Sequence, residues 1–486
     1  MKDKSIWLDN VSRNKYPKLD KDIKCDILII GGGITGVCCA YFLKDTKKKI
    51  VLVDGNKLCC GATAKSTGKL TYLQDDMINK IKNIYNEDVA TKYLDSQRYA
   101  ISLAKRMIID NDIKCNLESV NSYVFNNTLI NNCKIKDNYN FYKNRANVKL
   151  KDCIPIKTKC YKAIEANDTF VFHPVKFVLG VAKAIDNEVE IFENTRVINI
   201  DKGEDFFVAN TKNGMIRAKK IIIACHYPFF FLPYLFPFRT GIEKSFLCAS
   251  LVDDTRRFSA INVDKNLLSF RYHKDKKKYF ICVTESNSLS KNIDNIKKRD
   301  NAIWNMRSNF SPDVKYCWSN FDIMTSDYMP LVGKIDSNLY LATGYNTWGM
   351  TNGILAGKII SDLLENKENR YIELFDPLRD FRNIPKLIDN NLENGISFIN
   401  TKINKQKDFY RSNVKIVKEN GVYYGIYIDE NKKEHKVLNK CPHMKCNLSF
   451  NYQNKSWDCP CHGSSFDIDG NVIYGPATYD IKIKKK

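Results

Sequence analysis

No stretch of this 486-residue chain approaches the ~20 consecutive apolar residues that a helix needs to span a bilayer. The longest candidate, Tyr227 to Phe238, is short and broken by Pro228, Pro233 and Pro237, and is expected to be a buried loop or pocket wall. The opening residues, Met1-Lys2-Asp3-Lys4-Ser5, lack the apolar core of a secretory signal and the twin arginines of a folded-export signal. Internal repeats are missing, as are low-complexity tracts beyond Lys484-Lys485-Lys486. These absences lead to the expectation of a cytoplasmic protein without a membrane span. No nucleic-acid-binding motif accompanies the formal charge of +22, and Lys and Asn are abundant almost everywhere, so no nucleic acid partner is expected. The 17 cysteines are scattered and do not resemble a small disulfide scaffold; most are expected to be reduced.

What is present is ordinary globular composition, 44% hydrophobic and 27% charged, on a chain long enough for about three domains. Asp26-Ile27-Leu28-Ile29-Ile30 reads as a buried parallel strand entering the turn Gly31-Gly32-Gly33. A helical stretch, Ile34 to Leu43, and a second strand, Ile50 to Val53, complete a βαβ unit that ends at Asp54. Helix is expected over Ala90 to Ile109, and His173-Pro174 reads as a helix start because proline suits the first helical position. Asn213-Gly214 marks a hairpin before the strand Lys220 to Ala224. A buried strand, Leu339 to Ala342, precedes a glycine-punctuated turn and a helix over Ile354 to Leu364. Phe381 to Asn404 reads as a connector. Beyond it, short strands at Val414 to Val417, Val422 to Ile428 and from Trp457 onward suggest a small all-β domain.

The first chemical motif is Gly31-x-Gly33-x-x-Gly36 between strand and helix, with Asp54 closing the next strand. Glycines let the backbone approach a pyrophosphate, the helix N-terminus offers N–H groups to it, and an acid at this separation accepts hydrogen bonds from a ribose. Two further blocks accompany it: Gly61-Ala62-Thr63-Ala64-Lys65-Ser66-Thr67-Gly68, and Asp327-Tyr328-Met329-Pro330-Leu331-Val332-Gly333 followed by Ala342-Thr343-Gly344 to Gly349-Met350-Thr351-Asn352-Gly353. Together, over residues 24 to 380, they resemble the D-amino-acid-oxidase-like superfamily of FAD-dependent oxidoreductases. The resemblance implies FAD, bound by Gly31, Gly33, Ile34, Thr35, Gly36, Asp54, Thr63, Ser66, Thr67, Gly68, Gly344, Gly349, Met350 and Thr351. It also implies that the Met350 and Thr351 amides, at a helix N-terminus, stabilise negative charge on the reduced flavin. Many relatives have Ala-x-Gly where this chain has Ala224-Cys225-His226, and His226 is expected to cap a loop. No catalytic residue is assigned; Lys65, Lys69, His226 and Tyr345 are candidates by neighbourhood alone, with structural or cofactor-holding roles favoured. Trp348 is expected to pack beside the flavin.

The second motif is Cys441-Pro442-His443 and, fifteen residues on, Cys459-Pro460-Cys461-His462. Two cysteines and two histidines can hold Zn²⁺ or a [2Fe–2S] centre. With Cys446, Gly463-Ser464-Ser465-Phe466-Asp467 and Gly475-Pro476-Ala477, the segment is similar to the Rieske domain. That resemblance implies metal ligation by Cys441, His443, Cys459 and His462, with the cysteines on one iron and the histidines on the other. It also implies a disulfide between Cys446 and Cys461. In high-potential relatives the position of Ser464 donates a hydrogen bond to the cluster and a tyrosine donates to a cysteine sulfur; Phe466 stands at the tyrosine position, so a lower potential is expected.

The expected fold is α/β: a Rossmann-like FAD-binding domain with an α+β substrate cap, plus a small all-β Rieske domain. The oxidoreductase part spans residues 1–385, with FAD-binding parts at about 24–75, 165–230 and 320–370 and cap parts at about 76–164 and 231–319; a connector at 386–404 leads to the Rieske domain at 405–486. The joined motifs imply a dehydrogenase-type oxidoreductase that oxidises a small amine, amino acid or hydroxy acid, with electrons passing singly between flavin and cluster. A flavin oxidase with a structural or redox-sensing cluster, or a non-enzymatic electron-transfer protein, are the alternatives. From Lys405 to Lys486 there are 15 basic and 9 acidic side chains. Such a face beside an exposed cluster suits an acidic electron carrier of ferredoxin or flavodoxin type.

Overall fold

The computed structural model describes residues 1–229, 236–253, 256–264, 268–288, 295–389, 391–392, 413–452 and 454–483. Its first sheet has eight strands among these residues. The apolar run Ile23–Ile30 lies at its centre, flanked in parallel by Ile50–Val53 and Met215–Ile223. Strands Val189–Phe192 and Leu339–Thr343 extend it in parallel on either side, and Leu331–Asp336 closes one edge antiparallel. A strand buried on both faces can be apolar throughout, which is why Ile27 to Ile30 show no alternation. The helices Ile34–Leu43 and Gly349–Leu364 pack together against one face. The hairpin at Asn213-Gly214 forms as expected, pairing Phe207–Thr211 with Met215–Ile223.

The second sheet has nine strands and draws on both cap segments. Glu118–Asn126 pairs in parallel with Phe258–Asn262, more than 130 residues later, and antiparallel with Lys162–Val171. Thr240–Leu251, Lys278–Ser288 and Val314–Thr325 continue it. The helix expected at Ala90 to Ile109 runs over Glu87–Asp110; Asn86 caps it by accepting from the Val89 N–H, with Glu87 and Asp88 in the first turn. The helix expected from Ile354 begins at Gly349, because its first turn is built from small and polar residues that hide its period. His173 caps the helix Pro174–Lys183, with Pro174 in the first turn.

The tail folds as two small antiparallel sheets. Val414–Glu419, Val422–Ile428 and Glu434–Leu438 form one, and Ser449–Asn451, Ser456–Asp458, Ser465–Asp467 and Val472–Tyr474 the other. Val437, Leu448, Trp457 and Phe466 fill their shared core together with Cys441, Cys446, Cys459 and Cys461. Most of the expected connector, and Phe230 to Leu235 within the Tyr227 to Phe238 run, lie outside the described residues; Tyr227 itself is buried. No described helix is long and apolar enough to cross a membrane.

Candidate functional site

The central strand delivers Gly31 to a crowded crossing with the strand end at Ala224. Gly31 has φ +114°, and a Cβ on it would stand 2.5 Å from the Ala224 carbonyl oxygen. A Cβ on Gly36 would lie 1.9 Å from the Gly31 carbonyl oxygen, so the helix sits directly on the turn. Asp54 accepts from the Gly32 N–H at 2.8 Å and the Asn56 N–H at 2.7 Å, and burial raises its pKa. A cavity of about 640 Å³ opens here. Its lining includes Gly31, Gly33, Ile34, Thr35 and Asp54 at one end, then Thr63, Ser66 and Thr67, then Gly349, Met350 and Thr351. Gly36, Gly68 and Gly344, the remaining expected positions, support these loops without lining the cavity.

The loop carrying Thr63 and Ser66 is tied from several sides. Ile34 N–H donates to Thr63 Oγ1 at 3.1 Å, and Ser66 Oγ donates to the Thr63 carbonyl at 3.1 Å. From the second sheet, buried Arg271 donates to the Gly68 and Phe172 carbonyls at 2.6 and 2.9 Å. Nothing in the sequence marked Arg271, because its contacts are to backbone of distant segments. Thr351 Oγ1 donates to Gln97 at 2.6 Å.

The four neighbourhood candidates all line the cavity. Lys69 is buried and donates to the Ala260 carbonyl and to Ser269 Oγ, at 2.7 and 2.8 Å; burial lowers its pKa to about 7. Tyr345 and Thr35 share a hydrogen bond of 2.9 Å. Lys65 is half-buried with its ammonium over the Tyr474 ring, 5.8 Å from the centroid. His226 does more than cap a loop. It has φ +69°, its carbonyl accepts from Thr343 Oγ1, and its Nδ1 hydrogen-bonds the Tyr474 hydroxyl from the tail. Burial, then Lys65, lowers its pKa to about 4, so the ring is neutral at physiological pH. Trp348 stands in the cavity wall.

In the tail, Cys441 and Cys459 are buried and hydrogen-bonded to each other, and that bond lowers the Cys441 pKa. Ser464 also hydrogen-bonds Cys441, and its hydroxyl accepts from the Ala477 N–H at 3.0 Å. The His443 and His462 rings meet edge to face with centroids 5.0 Å apart. His462 Nδ1 is buried and has no hydrogen-bond partner among the described residues. Cys446 and Cys461 form the expected disulfide. Cys459 Sγ lies within 4.8 Å of both of their sulfurs, which are already spent on each other.

The tail closes the cavity, since residues 473–478 form part of its wall. Asn56 Nδ2 donates to the Ile473 carbonyl at 2.9 Å, and Lys212 pairs with Asp480 at 2.6 Å. The Tyr474 ring stacks on Phe321, with centroids 5.9 Å apart. Tyr227 packs against the His462 ring, with centroids 5.8 Å apart. His462 is therefore covered by the flavin-domain side of the chain, at 9% exposure, whereas His443 is half-buried. The cluster edge expected to be exposed is thus half-buried at His443 and buried at His462. The expected pocket wall is borne out at Tyr227, but its contact with His462, and Tyr474 altogether, were not legible in the sequence because they exist only once two distant segments meet.

The donor sets fit the implied groups. The cavity runs from a glycine turn and an acid to a helix N-terminus, as an extended dinucleotide requires. Paired buried thiols beside two imidazoles, one with an orphaned Nδ1, suit a Cys₂His₂ cluster.

Comparison with known proteins agrees. A family model described as DAO, FAD dependent oxidoreductase, matches residues 26–363, and a Rieske [2Fe-2S] domain model matches residues 400–484. The chain is 28% identical to the Rieske 2Fe-2S iron-sulfur protein YhfW of Bacillus subtilis, over 98% of this chain and 97% of that one. It is 24% identical to gamma-glutamylputrescine oxidoreductase of Escherichia coli, over 74% and 89% of the two chains. The fold resembles glycine oxidase from Geobacillus kaustophilus, with a TM-score of 0.60, 15% identity, and coverage of 74% of this chain and 99% of that one.

Proposed function

The chain belongs to the DAO family of FAD dependent oxidoreductases and carries a Rieske [2Fe–2S] domain, and from that premise we propose that it oxidises a small amine, amino acid or hydroxy acid and passes the electrons singly between flavin and cluster. FAD and the Rieske cluster are its cofactors. Bound FAD supplies two-electron oxidation, and the cluster supplies one-electron transfer.

The observation that carries the reading is the shared wall: one cavity is lined by the glycine turn, by the Gly349–Thr351 helix start and by tail residues 473–478. The residues of the chain then have distinct tasks. Gly31, Gly33 and the N-terminus of Ile34–Leu43 hold the pyrophosphate, and Asp54 holds the ribose. The Met350 and Thr351 amides hold negative charge at the far end. Cys441 and Cys459 bind one iron, and His443 and His462 the other. Tyr227, packed against the His462 ring, would cover that ligand on the flavin-domain side. Residues 1–385 act as the oxidoreductase unit, 386–404 as connector and 405–486 as the cluster unit. An acidic carrier, in a cytoplasmic setting, meets the half-buried His443 side.

Anaerobic stopped-flow mixing with a panel of amines, amino acids and hydroxy acids tests this. The expected result is bleaching of the flavin band followed by bleaching of the cluster band. Flavin reduction with a cluster that never changes state would sink the electron-transfer part, and failure of every compound to reduce flavin would sink the substrate part.

A further inference from the structure

The cavity wall supplied by the second sheet carries a cluster of hydrogen-bond acceptors. Glu243, on Thr240–Leu251, and Asp322, on Val314–Thr325, stand directly opposite each other on adjacent antiparallel strands and both line the cavity. Ser245 and Asn320 are the next opposed pair on the same face. Like charges in directly opposed positions destabilise a sheet, so folding alone gives no reason for this pair.

Asn320 supplies an independent observation. Its Nδ2 donates to Asp322 Oδ1 at 3.2 Å, which fixes the orientation of the amide. The residue is 6% exposed, and its Oδ1 has no hydrogen-bond partner among the described residues. Among the described residues, Glu243 accepts only a hydroxyl, from Ser286 at 3.3 Å. Neither carboxylate takes part in an ion pair among the described residues. Of the cations lining the cavity, Lys80 pairs with Asp75 at 3.4 Å, and Lys386, whose ammonium feels the Glu243 charge, donates to the Thr325 carbonyl and lies over the Tyr328 ring. Lys244, on the opposite face, is directed toward Asp458, 3.9 Å away.

We propose that Glu243, Asp322 and Asn320 Oδ1 form the recognition site for the ammonium group of a cationic amine substrate. An ammonium offers three N–H donors, and the site offers two carboxylates and an amide oxygen. A substrate carboxylate is repelled at this end of the cavity, so hydroxy acids and amino acids bound there by their acid group are excluded. The inference rests on the oxidoreductase reading above and narrows its substrate class.

Burial, then Glu243, pushes the Asp322 pKa up to about 7. Asp322 is therefore about half protonated near pH 7, and an arriving ammonium displaces that proton. Among the described residues, the other titratable groups that feel the pair are Lys386 and Tyr328, which feel Glu243, and Tyr474 from the tail, which feels Asp322.

The test uses the holoenzyme and the perturbation of its flavin absorbance by pentylamine, 1-pentanol and pentanoate. Pentylamine is expected to bind at least tenfold more tightly than the other two, and more tightly at pH 8 than at pH 6. E243Q and D322N should each weaken pentylamine at least tenfold, N320A should weaken it severalfold, and D322N should flatten the pH dependence. Flavin and iron contents should be unchanged in all three. Equal binding of pentanoate, no response to pentylamine, or unaltered pentylamine affinity in E243Q and D322N would overturn the proposal. Photoreduction of flavin with no substrate present, followed by the cluster band, separates the two readings. A cluster that stays oxidised there sinks the electron-transfer reading and leaves the amine site standing.

Discussion

Asp322 keeps its proton well above the usual carboxylate range because burial, and then the neighbouring Glu243, oppose its charge. The unfolded chain releases that proton near pH 3.8 and the folded chain near 7. Between these values the native state binds more protons, so this group makes stability fall as pH rises. Asn at this position removes the penalty. Thermal melts of D322N should exceed those of the parent, by a margin that grows from about pH 4 to about pH 7 and is constant above. Ser464 and Phe466 act on a different quantity. Ser464 hydrogen-bonds Cys441, and such a donor favours the reduced, more negative cluster. A hydrogen bond to a charged group contributes ~1.5–3 kcal/mol, or roughly 60–130 mV for one electron. Potentiometric titration should find the cluster potential lowered by that order in S464A and raised in F466Y, with the parent below the upper end of the roughly −150 to +300 mV Rieske range.

At the scale of single elements, the turn between Ile23–Ile30 and Ile34–Leu43 has no room for an added carbon at Gly31 or at Gly36. Gly36→Ala would push a methyl to 1.9 Å from the Gly31 carbonyl oxygen. The expected loss is about 1–3 kcal/mol of stability, together with most of the bound FAD, read from melts and from flavin absorbance per chain. This turn was legible in the sequence because its chemistry is local: strand, glycines, helix and acid follow within about thirty residues. The cluster loops were legible for the same reason, since Cys441-x-His443 and Cys459-x-x-His462 are short spacings. The second sheet was not. Its joining contact pairs Ser122 with Ser259 in parallel, and no local pattern announces a partner that far along the chain. Glu243 and Asn320 were invisible as well, because a polar residue in a strand reads as solvent-facing until the cavity it faces is known. The start of Gly349–Leu364 was placed late, since glycine and threonine carry little helical signal.

Across the whole molecule, the two halves meet through aromatic rings as well as through the Lys212–Asp480 ion pair and the Asn56 hydrogen bond to Ile473. Tyr227 packs against His462, and Tyr474 lies between His226 and Phe321, where the tail meets the flavin-domain side of the chain. A misplacement of about 1 Å costs up to about 100-fold in rate where geometry limits a reaction. Tyr227→Leu should slow flavin-to-cluster equilibration about tenfold or more after a light pulse, with unchanged iron and flavin contents; an unaltered rate would show that this ring does not set the spacing. The wall made by residues 473–478 has one more consequence. Some 440 residues separate Gly33 from Ile473, so a chain emerging from the ribosome completes its glycine turn long before its last wall exists. During that interval the cleft stands open on one side. Vitamin-derived cargo can slip in early, and the iron-bearing tail then shuts the door behind it.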